Sequence, residues 1–356
     1  FVTEIGGAGG HTAIVAKGLE IPAVVGMGRF LTDLSGGELV IVDGNHGQVI
    51  LQPDEETIAR YRHEVEEHHT LVAQLGELRE LPAVTSDGTD IKLFANIEFP
   101  REAESCLERG ADGIGLYRTE FLYLGAKVEP TEEDHYEAYA EVIRQMQGRP
   151  VVIRTLDLGA DKLGTLPQGE QNPFLGLRSI RLSLRNLPLF RVQLRAILRA
   201  SVLGPVRIMF PLISTLADLR QAKMVLADAS EDLDEAGVAY DHDVKVGMMV
   251  EVPAAVTMLD KFLKEVDFIS IGTNDLIQYA LAVDRGNSEV ADRYQASDPA
   301  VLRLLDQSLS AARAAEIPAS VCGQMSGEPR YTMLLLGLGL RTLSVPPSAV
   351  PEIKKI

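Results

Sequence analysis

The sequence predicts an α/β protein: a (β/α)8 TIM barrel over residues 89–356, preceded by part of a small α/β domain (1–52) and a helical linker (53–88). Three observations carry this. From Asp90 onward, short apolar runs alternate with helix-period segments, giving eight βα units over roughly 255 residues, the length that this fold needs. Charged residues gather just after the runs, at the strand ends where such a barrel builds its active site. No GxGxxG follows the first run, which argues against an open doubly wound sheet.

Residues 1–52 alternate short apolar runs with glycine-rich turns, and 21–25, 38–42 and 48–51 read as strands. The run Gly6 to Gly10 precedes His11 and a helix-like segment, 12–19. A glycine run opening a helix leaves N–H groups free to cradle an anion, and the positive dipole end would steady a phosphorylated imidazole. The same residues also fit a structural turn beside a surface histidine, and both readings stand at this point. The chain opens at Phe1 without a methionine, so a fragment cut inside a domain is expected.

Residues 53–81 are charged and helix-permissive, the expected linker with a solvated face. His63, His68 and His69 fall at a spacing unsuited to a metal site. The loop 82–88 is the expected domain boundary. Barrel strands are expected at 91–96, 113–116, 151–154, 206–210, 246–250, 268–271, 319–322 and 342–345. Helical patterns fill the intervals, among them 101–109, 132–146, 187–200, 216–229 and 300–315.

The stretch from Ser270 to Asn287 organises the rest. One apolar run stops at Gly272-Thr273-Asn274-Asp275, and the run before it stops at Glu251. If the two strands are neighbours, both acids meet at one sheet edge, able to hold a hard divalent cation such as Mg2+. Arg285, ten residues past Asp275, offers a fork for phosphate or carboxylate. The other strand ends supply Arg118 and Glu120, Arg154 and Asp157, then Cys322 and Gln324, while Arg178 lies in a long insertion after the third strand. Arginines close ion pairs and a lone cysteine is commonly core, so each has a bland explanation alone. Together on one rim they compose a site for a small, highly charged anion plus a metal.

Composition sets bounds. The net charge of −17 and the lack of a basic patch argue against nucleic acid, so an anionic substrate must be drawn by local arginines. Two cysteines, Cys106 and Cys322, without a CxxC pair point to a reducing compartment, the cytoplasm. No signal peptide is visible, and the longest apolar stretch, around Met333 to Leu340, is too short to span a bilayer.

In order along the chain, GGAGGHTAIVAKGLEIPAVVGMG, GLYRTEFLYL, IRTLDLGADK, NPFLGLRSIR, MVEVPAAV, SIGTNDLIQYALAVDRGN and VCGQMSGE resemble enzyme I of the bacterial phosphotransferase system, the phosphoenolpyruvate-protein phosphotransferases. These segments run over nearly the whole chain. Pyruvate phosphate dikinase and phosphoenolpyruvate synthase share the histidine, TND and Cys-Gly elements, but RTLDLGADK is similar to enzyme I and unlike the dikinases. The resemblance implies the C-terminal part of a swivelling phosphohistidine domain before a phosphoenolpyruvate-binding barrel. It implies that His11 takes the phosphoryl group from phosphoenolpyruvate and passes it to the carrier protein HPr, releasing pyruvate.

By the same resemblance Arg118 and Arg154 grip the phosphate, and Arg285 grips the substrate end beyond Asn274 and Asp275. Arg178 lies near the same pocket, and Glu251 and Asp275 hold Mg2+, with Mn2+ suiting the same ligands. Cys322 protonates the enolate carbon, and the barrel forms a homodimer. This chemistry agrees with the residue types, because phosphoryl transfer needs positioning and charge neutralisation above all.

Three positions depart from the family pattern: Gly9-Gly10 replaces a Thr-Ser-like pair before the histidine, Gln324 replaces a Glu after Cys-Gly, and Leu343 to Pro347 replaces a Ser-rich approach to the C terminus. Two further readings therefore stand beside the enzyme: a degenerate phosphoenolpyruvate-binding sensor, and a dikinase-type fragment.

Overall fold

The computed structural model describes residues 1–5, 16, 21–29, 36–123, 128–159, 172–285, 287 and 289–356. His11 and the helix expected over 12–19, Ala16 apart, lie outside the described residues. Contacts along the chain separate two compact units, Phe1–Glu77 and a larger one taking in most of Leu78–Ile356.

In the smaller unit, β1 (Val40–Asp43) pairs antiparallel with β2 (Gln48–Leu51), Asp43 opposite Gln48. Asp43 closes the turn by accepting the Asn45 and His46 amides, each at 3.0 Å. Its other oxygen accepts the Tyr61 hydroxyl at 3.0 Å, which fastens the helix Glu55–Gly76 to the hairpin. That helix starts where the Asp54 carboxylate accepts the Thr57 amide at 2.8 Å, with Glu55 and Glu56 at the positive dipole end. Most of the expected linker is thus one helix that groups with the hairpin, and the contact boundary falls at Glu77, ahead of the expected 82–88 loop. The strand expected over 21–25 is instead a single parallel bridge, Val2 to Val24. Pro22 brings no N–H to a ladder, and Gly26, at φ +74°, turns the chain away.

The larger unit is a closed barrel of eight strands, each parallel to its neighbours. They are β3 (Lys92–Ile97), β4 (Gly113–Arg118), β5 (Val151–Arg154), β6 (Val206–Phe210), β7 (Lys245–Val250), β8 (Phe268–Gly272), β9 (Ala319–Cys322) and β10 (Thr342–Val345), with β10 closing against β3. The expected strands fall in these places, each end within two residues. Helices follow them, and among the described residues two have capping boxes: Thr131 with Asp134 opens Glu132–Gln145, and Thr215 with Asp218 opens Leu216–Glu235. Pro253 and Pro329 open short helices, their fixed φ suiting the first turn. Among the described residues no helix is long and apolar enough to cross a membrane.

Alternation along the strands makes two apolar layers. Ile114, Tyr117, Ile153, Ile208, Phe210, Met248 and Val250 belong to the large cluster shared with the helices. Leu116, Val152, Met209, Met249, Phe268 and Cys322 form a separate, smaller one. Two aromatic rings on the barrel strands fit only because neighbouring strands lack a side chain. A Cβ on Gly113 would stand 2.6 Å from the Phe94 ring, and one on Gly247 would stand 2.6 Å from the Phe268 ring.

Candidate active site

The expected site residues lie at the C-terminal ends of the barrel strands. Arg118 ends β4 and Arg154 ends β5; Glu251 follows β7; Asn274 and Asp275 open the helix Thr273–Leu281 after β8; Cys322 ends β9. β7 and β8 are neighbours, with Val250 opposite Ile271, so Glu251 and Asp275 rise from adjacent strand ends. Gly272 pairs with Cys322 and brings the thiol strand alongside.

A buried chain of guanidinium and carboxylate groups runs through these ends. Arg118 pairs with Glu98. Arg154 pairs with Glu120 through Nη2 and with Asp157 through Nη1, each at 2.9 Å. Arg178 Nη2 lies 3.0 Å from Asp157 Oδ1 and 3.1 Å from Asp275 Oδ2. Arg285 Nη2 stands 3.8 Å from Asp275 Oδ1, and its side chain is 41% exposed where those of Arg154 and Arg178 are near 10%. Three of the four expected arginines thus converge on Asp157 or Asp275, while Arg118 holds a separate acid.

Sequence alone places Glu120 and Asp157 at strand ends but gives them no role. They keep the arginines in place. Burial pushes the Glu120 carboxyl up against the pull of Arg154. Burial also opposes ionisation of Asp157, but Arg154 and Arg178 outweigh it and hold its carboxyl low. Both guanidinium groups are held firmly charged by these acids despite burial.

Glu251 is 2% exposed, and its Oε1 accepts the Leu212 amide at 2.5 Å. Its Oε2 lies against Gly272, where a Cβ would approach to 2.5 Å, so only glycine leaves the carboxylate room. Burial first, then the charge of Asp275, pushes Glu251 up to about 8. Asp275 Oδ1 is buried without a hydrogen-bond partner. Two close carboxylates, one resisting ionisation and the other with an oxygen unmet, fit a bound cation. Among the described residues no group of three or more His, Cys, Asp or Glu could hold a metal, so these two would be the protein's share of the ligands.

The remaining groups frame the site. Asn274 Oδ1 accepts the Gln324 amide at 2.8 Å, and the Tyr294 hydroxyl donates to Asn274 O at 3.0 Å. Tyr279, one turn on from Asp275, donates its hydroxyl to Phe174 O and stands 3.4 Å from Arg178 Nη1, so it fastens the insertion that carries Arg178. Cys322 is 1% exposed and accepts the Ser270 hydroxyl at 3.0 Å. Burial pushes its thiol up, more than Ser270 pulls it down, so it stays protonated at neutral pH. Ser270, Tyr279 and Glu98 were not singled out in the sequence, because each acts through a partner distant along the chain.

Residues 72–356 match the family described as PEP-utilising enzyme, PEP-binding domain, and residues 1–47 match PEP-utilising enzyme, mobile domain. Curated relatives carry the name phosphoenolpyruvate-protein phosphotransferase. One from Geobacillus stearothermophilus is 48% identical over all of this chain and 63% of its own length. Another from Bacillus sp. (strain S) is 48% identical over 98% of this chain and 61% of its own. One from Staphylococcus carnosus is 45% identical over all of this chain and 62% of its own. The chain thus spans about three fifths of the length of these relatives.

Proposed function

Because the chain belongs to the phosphoenolpyruvate-utilising enzymes, we propose that its barrel binds phosphoenolpyruvate and gives up the phosphoryl group to His11, leaving pyruvate. The observation that carries this is the buried run Arg154–Asp157–Arg178–Asp275, which gathers charge for a small polyanion beside two carboxylates suited to a cation. Arg118 and Arg154 hold the phosphate, and the Arg154 Nε, buried without an acceptor, has a donor to spare. Arg285, the more exposed arginine, takes the substrate's other end from the solvent side. Asn274 orients that end.

Glu251 and Asp275 hold Mg2+ or Mn2+. Held there, such an ion would supply positive charge against the phosphate and the enolate oxygen. Cys322, kept as a thiol by burial, gives its proton to the enolate carbon. A thiol is a poor acid in bulk water, but at a fixed position beside the carbon it needs no diffusion to reach it.

The wider role follows the resemblance of the sequence motifs: His11 passes the group to an HPr-type carrier in the sugar phosphotransferase system, in the cytoplasm, and the barrels form a homodimer. The two reduced cysteines, both buried, are in keeping with that compartment. The test uses radiolabelled phosphoenolpyruvate and Mg2+ with the wild type, His11→Ala and Arg154→Met. Acid-labile label on the wild type, lost in both variants, is expected. Binding of phosphoenolpyruvate without label on any protein would overturn transfer and leave a sensor.

A further inference from the structure

Inward positions of a barrel of this type are mostly filled by bulky branched residues. On β8, β9 and β10 the pattern breaks: Ser270, Ser320 and Ser344 stand on neighbouring strands. Ser270 is 1% exposed and Ser344 is fully buried. A hydroxyl in such a place costs free energy unless it is hydrogen-bonded, and a branched apolar residue would pack better.

Ser344 is absorbed by the fold, since its hydroxyl donates to Asn96 Oδ1 at 2.5 Å. The other two form a line that ends on the thiol. Ser320 donates to Ser270 at 3.0 Å, and Ser270 donates to Cys322 Sγ at 3.0 Å. Ile269 O, at 3.5 Å, is a second and longer acceptor for Ser320. Ser320 opposes Ser270 in the ladder, two residues before Cys322, and is half-buried, whereas Cys322 is 1% exposed. The line therefore runs from a closed thiol to a residue that is only half-buried.

From this geometry we infer that Ser270 and Ser320 return a proton from solvent to Cys322 after each turnover. The inference rests on the reading above, in which Cys322 protonates the enolate. In that step the S–H bond breaks and a C–H bond forms at the methylene carbon, leaving a thiolate. The thiolate then takes the Ser270 proton, Ser270 takes that of Ser320, and Ser320 takes one from water. Each hydroxyl ends as it began, and the net change is one solvent proton moved onto sulfur. Hydroxyls serve because they both donate and accept, which an apolar side chain cannot do.

Run backwards, the same steps exchange the methyl hydrogens of pyruvate with solvent. The test is deuterium incorporation into pyruvate in heavy water with Mg2+ and inorganic phosphate, followed by proton NMR. Phosphoenolpyruvate affinity, measured by calorimetry, reports that the site is intact. Ser270→Ala and Ser320→Ala are each expected to slow exchange about a hundredfold or more while binding is kept, the scale of a lost proton-transfer group. Ser320→Thr, which keeps the hydroxyl, is expected to exchange near the wild-type rate. Exchange at the wild-type rate in both alanine variants, with Cys322→Ala inactive, would overturn the relay and leave the thiol's role intact. Exchange that survives in Cys322→Ala would remove that role, and the relay with it. Absence of exchange in the wild type would count against both.

Discussion

Arg178 Nη2 lies 3.1 Å from Asp275 Oδ2, and the same nitrogen lies 3.0 Å from Asp157 Oδ1. One guanidinium end thus serves two buried acids, of which Asp275 is a proposed metal ligand. Removing it strands charge. Arg178→Met is expected to cost about 3–5 kcal/mol by denaturant unfolding, as for one partner taken from a buried pair. Arg178→Lys keeps the charge but not the fork, so a smaller loss is expected. Added Mg2+ should raise the unfolding midpoint of Arg178→Met more than that of the wild type, because a cation near Asp275 replaces the missing charge. No rise in either protein would count against cation binding at Asp275.

Gln193 is fully buried, and both ends of its amide are hydrogen-bonded. It donates to Thr119 Oγ1 at 3.0 Å and Tyr139 OH at 3.1 Å, and it accepts the Leu156 amide at 2.9 Å. Thr119 in turn donates to Arg154 O at 3.0 Å. The residue following Arg118 is thereby tied to the backbone of Arg154, which sets the spacing of the two phosphate arginines. Gln193→Leu is expected to cost about 1–3 kcal/mol through unmet buried groups. It should also weaken phosphoenolpyruvate binding at pH 7, read by calorimetry. A stability loss with unchanged affinity would make Gln193 purely structural.

A Cβ on Gly247 would meet the Phe268 ring at 2.6 Å and the Phe268 carbonyl oxygen at the same distance. A ring can turn, but a backbone carbonyl in a barrel ladder cannot. Gly247→Ala is therefore expected to lower stability by about 1–3 kcal/mol, the cost of an overpacked core. Adding Phe268→Leu should not restore it, since the carbonyl contact persists. Full rescue in thermal unfolding would show that the ring alone sets the fit.

The barrel was legible because its strands are buried on both faces and read as short apolar runs with period-matched helices between them. Glu251, Asp275, Arg118, Arg154 and Cys322 were legible because a barrel brings strand ends together whatever their distance along the chain. Arg178 was legible as a rim residue on an insertion, but not its shared hold on Asp157 and Asp275. Glu120 and Asp157 stood in the same strand-end segments, yet their pairing with Arg154 and Arg178 depends on side-chain reach, which spacing does not encode. Gln193 and Ser270 left no local signal. A glutamine in an amphipathic helix and a serine in an apolar run acquire meaning only from partners 74 and 52 residues away. The run at 21–25 misled because β-branched composition does not supply a partner strand.

His135 is fully buried on the helix Glu132–Gln145, between two phenols: Tyr123 OH lies 3.0 Å from Nε2 and Tyr139 OH lies 2.8 Å from Nδ1. Burial pushes its imidazole down to about 4, with Asp134 pulling weakly the other way. The unfolded chain holds this histidine near 6.5, the ordinary value. Above pH 6.5 both states are neutral and the group contributes no pH dependence. Between 6.5 and 4 the unfolded state binds a proton that the folded state refuses, so stability falls as pH falls; below 4 both are charged and the slope ends. The span corresponds to about 3 kcal/mol. Carboxylates titrate over the lower part of that window, so the comparison is with His135→Gln, which keeps polar contact with the tyrosines but has no proton to gain. Urea unfolding of both proteins from pH 7 to 4 should show the wild type losing more stability than the variant, the difference opening first near pH 6.5. Parallel curves would mean that the folded protein accepts the proton on His135 as readily as the unfolded chain does.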